Sequence, residues 1–112
     1  MGKVYVGYGY QYRRYPVPGY VDIYEEDLSG SLAYVRRLID RVRHTPGEFD
    51  WGNPGSRRTD LARSLLWSVL GREPEQRLYE QFEQEQVASW PMQAGECWRI
   101  TDREVQDWLL TK

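Results

Sequence analysis

Residues 44–71, HTPGEFDWGNPGSRRTDLARSLLWSVLG, run from a turn-rich aromatic loop into the most strongly amphipathic helical stretch of the chain. Thr45-Pro46-Gly47 and Asn53-Pro54-Gly55 both have the form X-Pro-Gly. In such a turn proline presets the backbone of the first position and glycine accepts the positive φ of a type II turn. The two turns bracket Phe49-Asp50-Trp51. A large ring buries about 150–250 Å² when packed, so a loop holding two of them between rigid turns is expected to fold back onto the body of the protein. Beyond Gly55, Ser56 is a good N-cap. Leu61, Ala62, Leu65, Leu66, Val69 and Leu70 then recur at three- and four-residue spacing, which predicts one broad apolar helix face. Gly71 stands where a left-handed residue closes such a helix.

Arg57 and Arg58 occupy the first turn of that helix, where the positive end of the helix dipole disfavours cations by about 0.3–1 kcal/mol each at an exposed site. Two readings follow. In one, nearby Asp50, Asp60 or Glu48 neutralises them; in the other, free backbone N–H groups and two guanidinium groups suit an external phosphate or a partner's carboxylate.

The run His44-Thr45-Pro46-Gly47-Glu48-Phe49-Asp50-Trp51-Gly52, followed by Gly55-Ser56 and by Leu61-Ala62 to Leu65-Leu66, resembles the central signature of a small uncharacterised family carried by phages, plasmids and bacterial genomes. The likeness continues through Leu78-Tyr79, Phe82, Val87-Ala88 and Pro91 into Trp98-Arg99-Ile100-Thr101, and covers roughly residues 36–108. It implies a mobile-element setting and brings no biochemical role. The chain departs from the signature at Asn53-Pro54 and at Arg57-Arg58. An anion site at that turn would therefore belong to this chain alone.

With 112 residues, 40% apolar and 14% aromatic, the chain has enough material for one domain, 1–112, with a single core and no need of metal or disulfide staples. A lone cysteine, Cys97, excludes an internal disulfide. No apolar run approaches the ~20 residues of a membrane span and the N-terminus lacks a signal-peptide core, so the expectation is a cytoplasmic protein without membrane contact. A net charge of −2 speaks against broad nucleic-acid affinity. It hides an asymmetry: residues 1–63 hold ten Lys and Arg against eight Asp and Glu, and residues 64–112 hold five against nine.

Towards the N-terminus, Val4, Val6, Tyr8, Tyr10 and Tyr12 alternate with Lys3, Tyr5, Gly7, Gly9 and Gln11, the period-2 pattern of a strand. Gly7 and Gly9 are expected to mark bulges or the close approach of another backbone. After Pro16-Val17-Pro18-Gly19, residues Tyr20 to Tyr24 form the second strand of an antiparallel hairpin whose loop carries Arg13, Arg14 and Tyr15. Ser29-Gly30-Ser31 offers a cap, and Leu32, Val35, Leu38, Ile39 and Val42 have helical spacing, so residues 31–43 read as helix.

Towards the C-terminus, Pro74 suits a first helical position with Glu73 as cap, and Pro91 stops the helix after Trp90. Leu78, Tyr79, Phe82, Val87 and Trp90 make its buried stripe, with Glu75, Glu80, Glu83 and Glu85 solvated. Cys97 to Ile100 is a short strand, and Thr101-Asp102-Arg103-Glu104 is a capping box that opens a last helix with Val105, Trp108 and Leu109 inward. The fold class is α+β: a small antiparallel sheet, mainly the N-terminal hairpin, packed against three or four helices.

The residue inventory limits the chemistry. The single cysteine and single histidine, Cys97 and His44, cannot supply a usual zinc site, and Cys97 reads as a small core residue. There is no Walker loop, and no cofactor is implied. The leading expectation is a small non-enzymatic protein-binding module, an inhibitor made by a mobile element against a host system such as CRISPR. Its partner would be a host cytoplasmic protein or protein–nucleic acid complex. The contact would centre on Arg13, Arg14, Tyr15, Arg57 and Arg58, joined by Trp51 if that ring is exposed. The alternatives are nucleic-acid or nucleotide binding through the Arg/Tyr surface, which adds Arg36 and Arg37, and an enzyme built around His44, Asp50 and Ser56.

Overall fold

In the computed structural model, which describes residues 2–8, 19–41, 45, 46, 49, 51, 56–90 and 97–112, the first alternation forms strand β1 (Gly2–Tyr8). It pairs antiparallel with β2 (Tyr20–Glu26), from Gly2 opposite Glu26 to Tyr8 opposite Tyr20. The register is unbroken, so Gly7 marks no bulge. Residues 9–18, with Arg13, Arg14, Tyr15 and Gly9, lie outside the described residues.

The helix expected over residues 31–43 is not formed. Leu32–Arg37 is strand β3, antiparallel to β2, and Ile39–Asp40 (β4) pairs with Thr45–Pro46 (β5). Two causes outweigh the helical spacing. Asp27 closes a tight turn: its Oδ1 accepts the Ser29 N–H at 2.9 Å, the Ser29 hydroxyl at 2.6 Å and the Ser31 N–H at 3.0 Å, while the Gly30 N–H donates to the Asp27 carbonyl. That delivers residue 32 to the free edge of β2, where backbone pairing is available. The apolar spacing itself is misleading. Leu38 is buried, Leu32 and Val35 are exposed, and Val35 is the extra residue of a bulge, with Ile23 opposite Arg36 and Tyr24 opposite Tyr34.

Helix α1 (Ser56–Leu70) buries Leu61, Ala62, Leu65 and Leu66 completely, as its period requires. Gly71, at φ 72°, ends it by donating to the Trp67 carbonyl at 2.8 Å. Helix α2 (Gln76–Glu85) starts two residues later than the proline suggested, with Glu75 at the N-cap. A 3-10 turn at Val87–Ser89 continues its stripe, burying Val87. Strand β6 (Cys97–Thr101) returns to pair with β1, giving the four-stranded antiparallel order β3-β2-β1-β6. Helix α3 (Asp102–Leu110) opens on the expected capping box: Glu104 N–H donates to Thr101 Oγ1 at 3.0 Å, and Thr101 N–H to Glu104 Oε1 at 3.2 Å.

The architecture is α+β. Tyr5, Val21, Ile23, Trp98 and Ile100 on one face of the sheet share a core with the helix residues Leu61, Leu65, Phe82 and Val105. The Tyr5 hydroxyl crosses this layer to share a 2.8 Å hydrogen bond with the Ser68 hydroxyl, and burial pushes the Tyr5 phenol pKa up. No helix among the described residues is long and apolar enough to cross a membrane.

Candidate functional site

Ahead of α1, Phe49 and Trp51 are turned inward. Phe49 exchanges two backbone hydrogen bonds with Gly19, both at 2.7 Å, and its ring is fully buried. Trp51 is 5% exposed and meets Trp98 edge-on, with ring centroids 5.5 Å apart. Trp98 in turn stacks on Trp90 at 4.0 Å, Trp90 contacts Phe82, and Phe82 contacts Trp108. Five rings thus run from the loop through the sheet and α2 to α3. As a member of this series Trp51 is a core residue.

Arg58 is likewise turned inward. Its Nε and Nη2 both lie 3.0 Å from Glu83 Oε2 on α2, the Thr59 hydroxyl donates to the other Glu83 oxygen, and both charged side chains are 13% exposed. Glu83, expected on the solvated face of its helix, is the partner that compensates a cation at a helix start. The acids considered from sequence, Glu48, Asp50 and Asp60, were all local, whereas Glu83 lies 25 residues away. Arg57 is half-buried beside it. Residues Glu48, Asp50 and His44 fall outside the described residues, and only the backbone of Ser56 is described. The cap expected from Ser56 and the enzyme constellation of His44, Asp50 and Ser56 therefore lie largely outside them. Among the described residues no group of His, Cys, Asp and Glu gathers to hold a metal ion.

The structure brings together a different surface, on the face of the sheet opposite the helices. Strand alternation turns Tyr20, Asp22, Tyr24 and Glu26 of β2 to that side, and register places Tyr34 and Arg37 of β3 and Cys97, Arg99 and Thr101 of β6 with them. Tyr24 and Tyr34 meet edge-on at 5.8 Å, and the Arg37 guanidinium lies 3.9 Å over the Tyr20 ring. The cations are balanced: Arg37 stands 3.6 Å from Asp22 and Arg99 stands 3.7 Å from Glu26. Cys97, expected as a small core residue, is exposed, because Trp98 and Ile100 take the inward positions of β6.

Exposed apolar side chains concentrate at the same hairpin. Leu28 (92% exposed), Leu32 (39%), Tyr34 (58%) and Val35 (42%) all belong to the turn after β2 or to β3, whose six residues are all exposed. Sequence reasoning missed this surface by assigning residues 31–43 to a helix. The signal that could have found it was the Asp27-to-Ser31 turn between two β-favouring runs.

No curated protein and no solved structure matches the chain. A family model does match, over residues 21–111, which takes in all but the first residue of β2 and every later element through α3. The chain belongs to DUF6166, a family of unknown function.

Proposed function

We propose that this protein is a small binding module that acts by occupying a surface of a larger protein, through the exposed β2–β3 hairpin and the polar side chains beside it on the sheet face opposite the helices. The observation that carries the reading is the concentration of Tyr24, Tyr34, Arg37 and Arg99 beside exposed Leu32 and Val35. Tyrosine and arginine are the side chains that most often anchor protein interfaces, and a face whose charges already balance suits a mixed protein surface better than a polyanion. Arg13, Arg14 and Tyr15, in the connection from β1 to β2, are proposed to extend the contact. In the mobile-element setting that the sequence resemblance implies, the proposed role is inhibition of a bacterial defence system such as CRISPR.

A tagged pull-down from a bacterial host, compared with a Tyr34→Ala, Arg37→Ala variant and read by mass spectrometry with and without nuclease, tests the reading. A partner retained after nuclease and lost with the variant supports it. The second reading, single-stranded nucleic acid stacked on the same tyrosines, has the exposed Tyr34 ring and the neighbouring Tyr24 in its favour. Affinity that falls with salt at a log–log slope of about −0.7 per neutralised phosphate would support it instead.

A further inference from the structure

Strand β3 carries Leu32, Tyr34, Val35 and Arg37 of the surface proposed above, and its outer backbone edge offers a contact of a different kind. Strand β3 ends the sheet order, so one side of its backbone faces away from β2 with no strand paired to it among the described residues. Its side chains stay uncovered: Leu32, Tyr34 and Val35 are exposed, and Leu28 projects from the turn beside them. An edge strand with exposed apolar residues is a template for pairing with another strand.

The charges of the hairpin say which strand fits. Its turn end carries Glu25, Glu26 and Asp27, and its other end carries Arg36 and Arg37; Arg37 and Glu26 face Asp22 and Arg99 of their own copy only at 3.6 and 3.7 Å and at partly exposed positions, so they are able to exchange partners. The acids line, with Ser31, Leu32 and Ala33, a shallow recess of about 340 Å³ against the edge. A second copy of β3 laid antiparallel sets basic ends against acidic ends at both extremities, whereas a parallel copy would set like charges together.

The register is fixed as well. Pairing Ala33 with the partner copy's residue 36, and Leu32 with its residue 37, keeps every side chain on the face that it already occupies. Arg36 lies on the helix-side face with Ala33 and Glu25, and Arg37 lies on the opposite face with Leu32 and Glu26. Strands in a sheet are about 4.8 Å apart, so an arginine on the incoming strand stands about 10 Å from the acid two strands away on β2, a gap that the two extended side chains span together over Ala33 or Leu32. Tyr34 of each copy then stands opposite the bulged Val35 of the other, on either side of the two-fold axis.

We infer that two copies of this chain associate through β3, antiparallel about a two-fold axis, in one continuous eight-stranded sheet held by Arg36–Glu25 and Arg37–Glu26 pairs between copies.

Charge exchange tests this. The full chain should sediment as a dimer in analytical ultracentrifugation and dissociate on dilution. A double variant Arg36→Glu, Arg37→Glu and a second double variant Glu25→Arg, Glu26→Arg should each be monomeric, since each self-pairing opposes like charges. An equimolar mixture should recover the dimer, because both charge contacts are then restored. Tyr34→Lys, at an exposed position, supplies an independent disruption if a charge variant fails to fold, and should also yield monomer. A wild-type chain that stays monomeric at its highest soluble concentration overturns the proposal. So does a dimer that survives Tyr34→Lys, or charge variants that do not recover it on mixing.

Discussion

The indole of Trp98 lies across Gly7, its registered partner on the adjacent strand, so closely that a β-carbon at residue 7 would stand 2.2 Å from the ring. The glycine is needed to let a side chain, rather than a backbone, approach the strand. Through that contact Trp98 reaches both Trp51 and Trp90, and the sheet is joined to the loop and to α2.

Gly7→Ala should therefore destabilise the fold by about 1–3 kcal/mol through overpacking. Combining it with Trp98→Leu should cost less than the sum of the two single changes, since the shorter side chain removes the clash. Urea denaturation of the four proteins measures this; strict additivity would mean that ring and strand do not meet.

Trp51→Ala removes the first ring of the aromatic series and should cost about 3–5 kcal/mol, the range for truncating a buried aromatic. A thermal or urea melt decides it. A loss within about 1 kcal/mol would return Trp51 to the list of surface contacts.

Glu83→Gln leaves the half-buried Arg58 guanidinium and the Thr59 hydroxyl with a neutral acceptor in place of a carboxylate. Hydrogen bonds to charged groups contribute about 1.5–3 kcal/mol, and a loss of that order is expected. Arg58→Glu should lower the melting temperature further by facing Glu83 with a second carboxylate. An Arg58→Glu chain as stable as wild type would instead put Arg58 at the surface.

The β2–β3 turn should respond to acid. Hydrogen bonds from the Ser29 hydroxyl, then from the Ser31 and Ser29 N–H groups, hold the Asp27 carboxyl below its ordinary value of 3.8. A depressed folded pKa means that the turn's stabilisation is complete above the ordinary value and is lost as pH falls through the folded one. The amide signals of Ser29 and Ser31 should titrate below pH 3.8 in NMR. A midpoint at the ordinary carboxylate value would show that the side chain does not close the turn.

Features governed by neighbours in the chain were legible in the sequence. The apolar face of α1, the glycine that ends it, the Thr101–Glu104 capping box and the inward turn of Phe49 and Trp51 all follow from helical period, turn chemistry and ring size, which act within a few residues. The tertiary structure decided what depends on meetings across long separations. Leu32–Arg37 became a strand because the edge of β2 was there to pair with it, although its apolar spacing suited a helix. Arg58 found its carboxylate on another helix, and Gly7 and Trp98 met across 91 residues through the return of β6 to β1. Hydrogen-bond partners and packing surfaces of this kind leave no trace in local spacing, because they exist only once the chain has closed on itself.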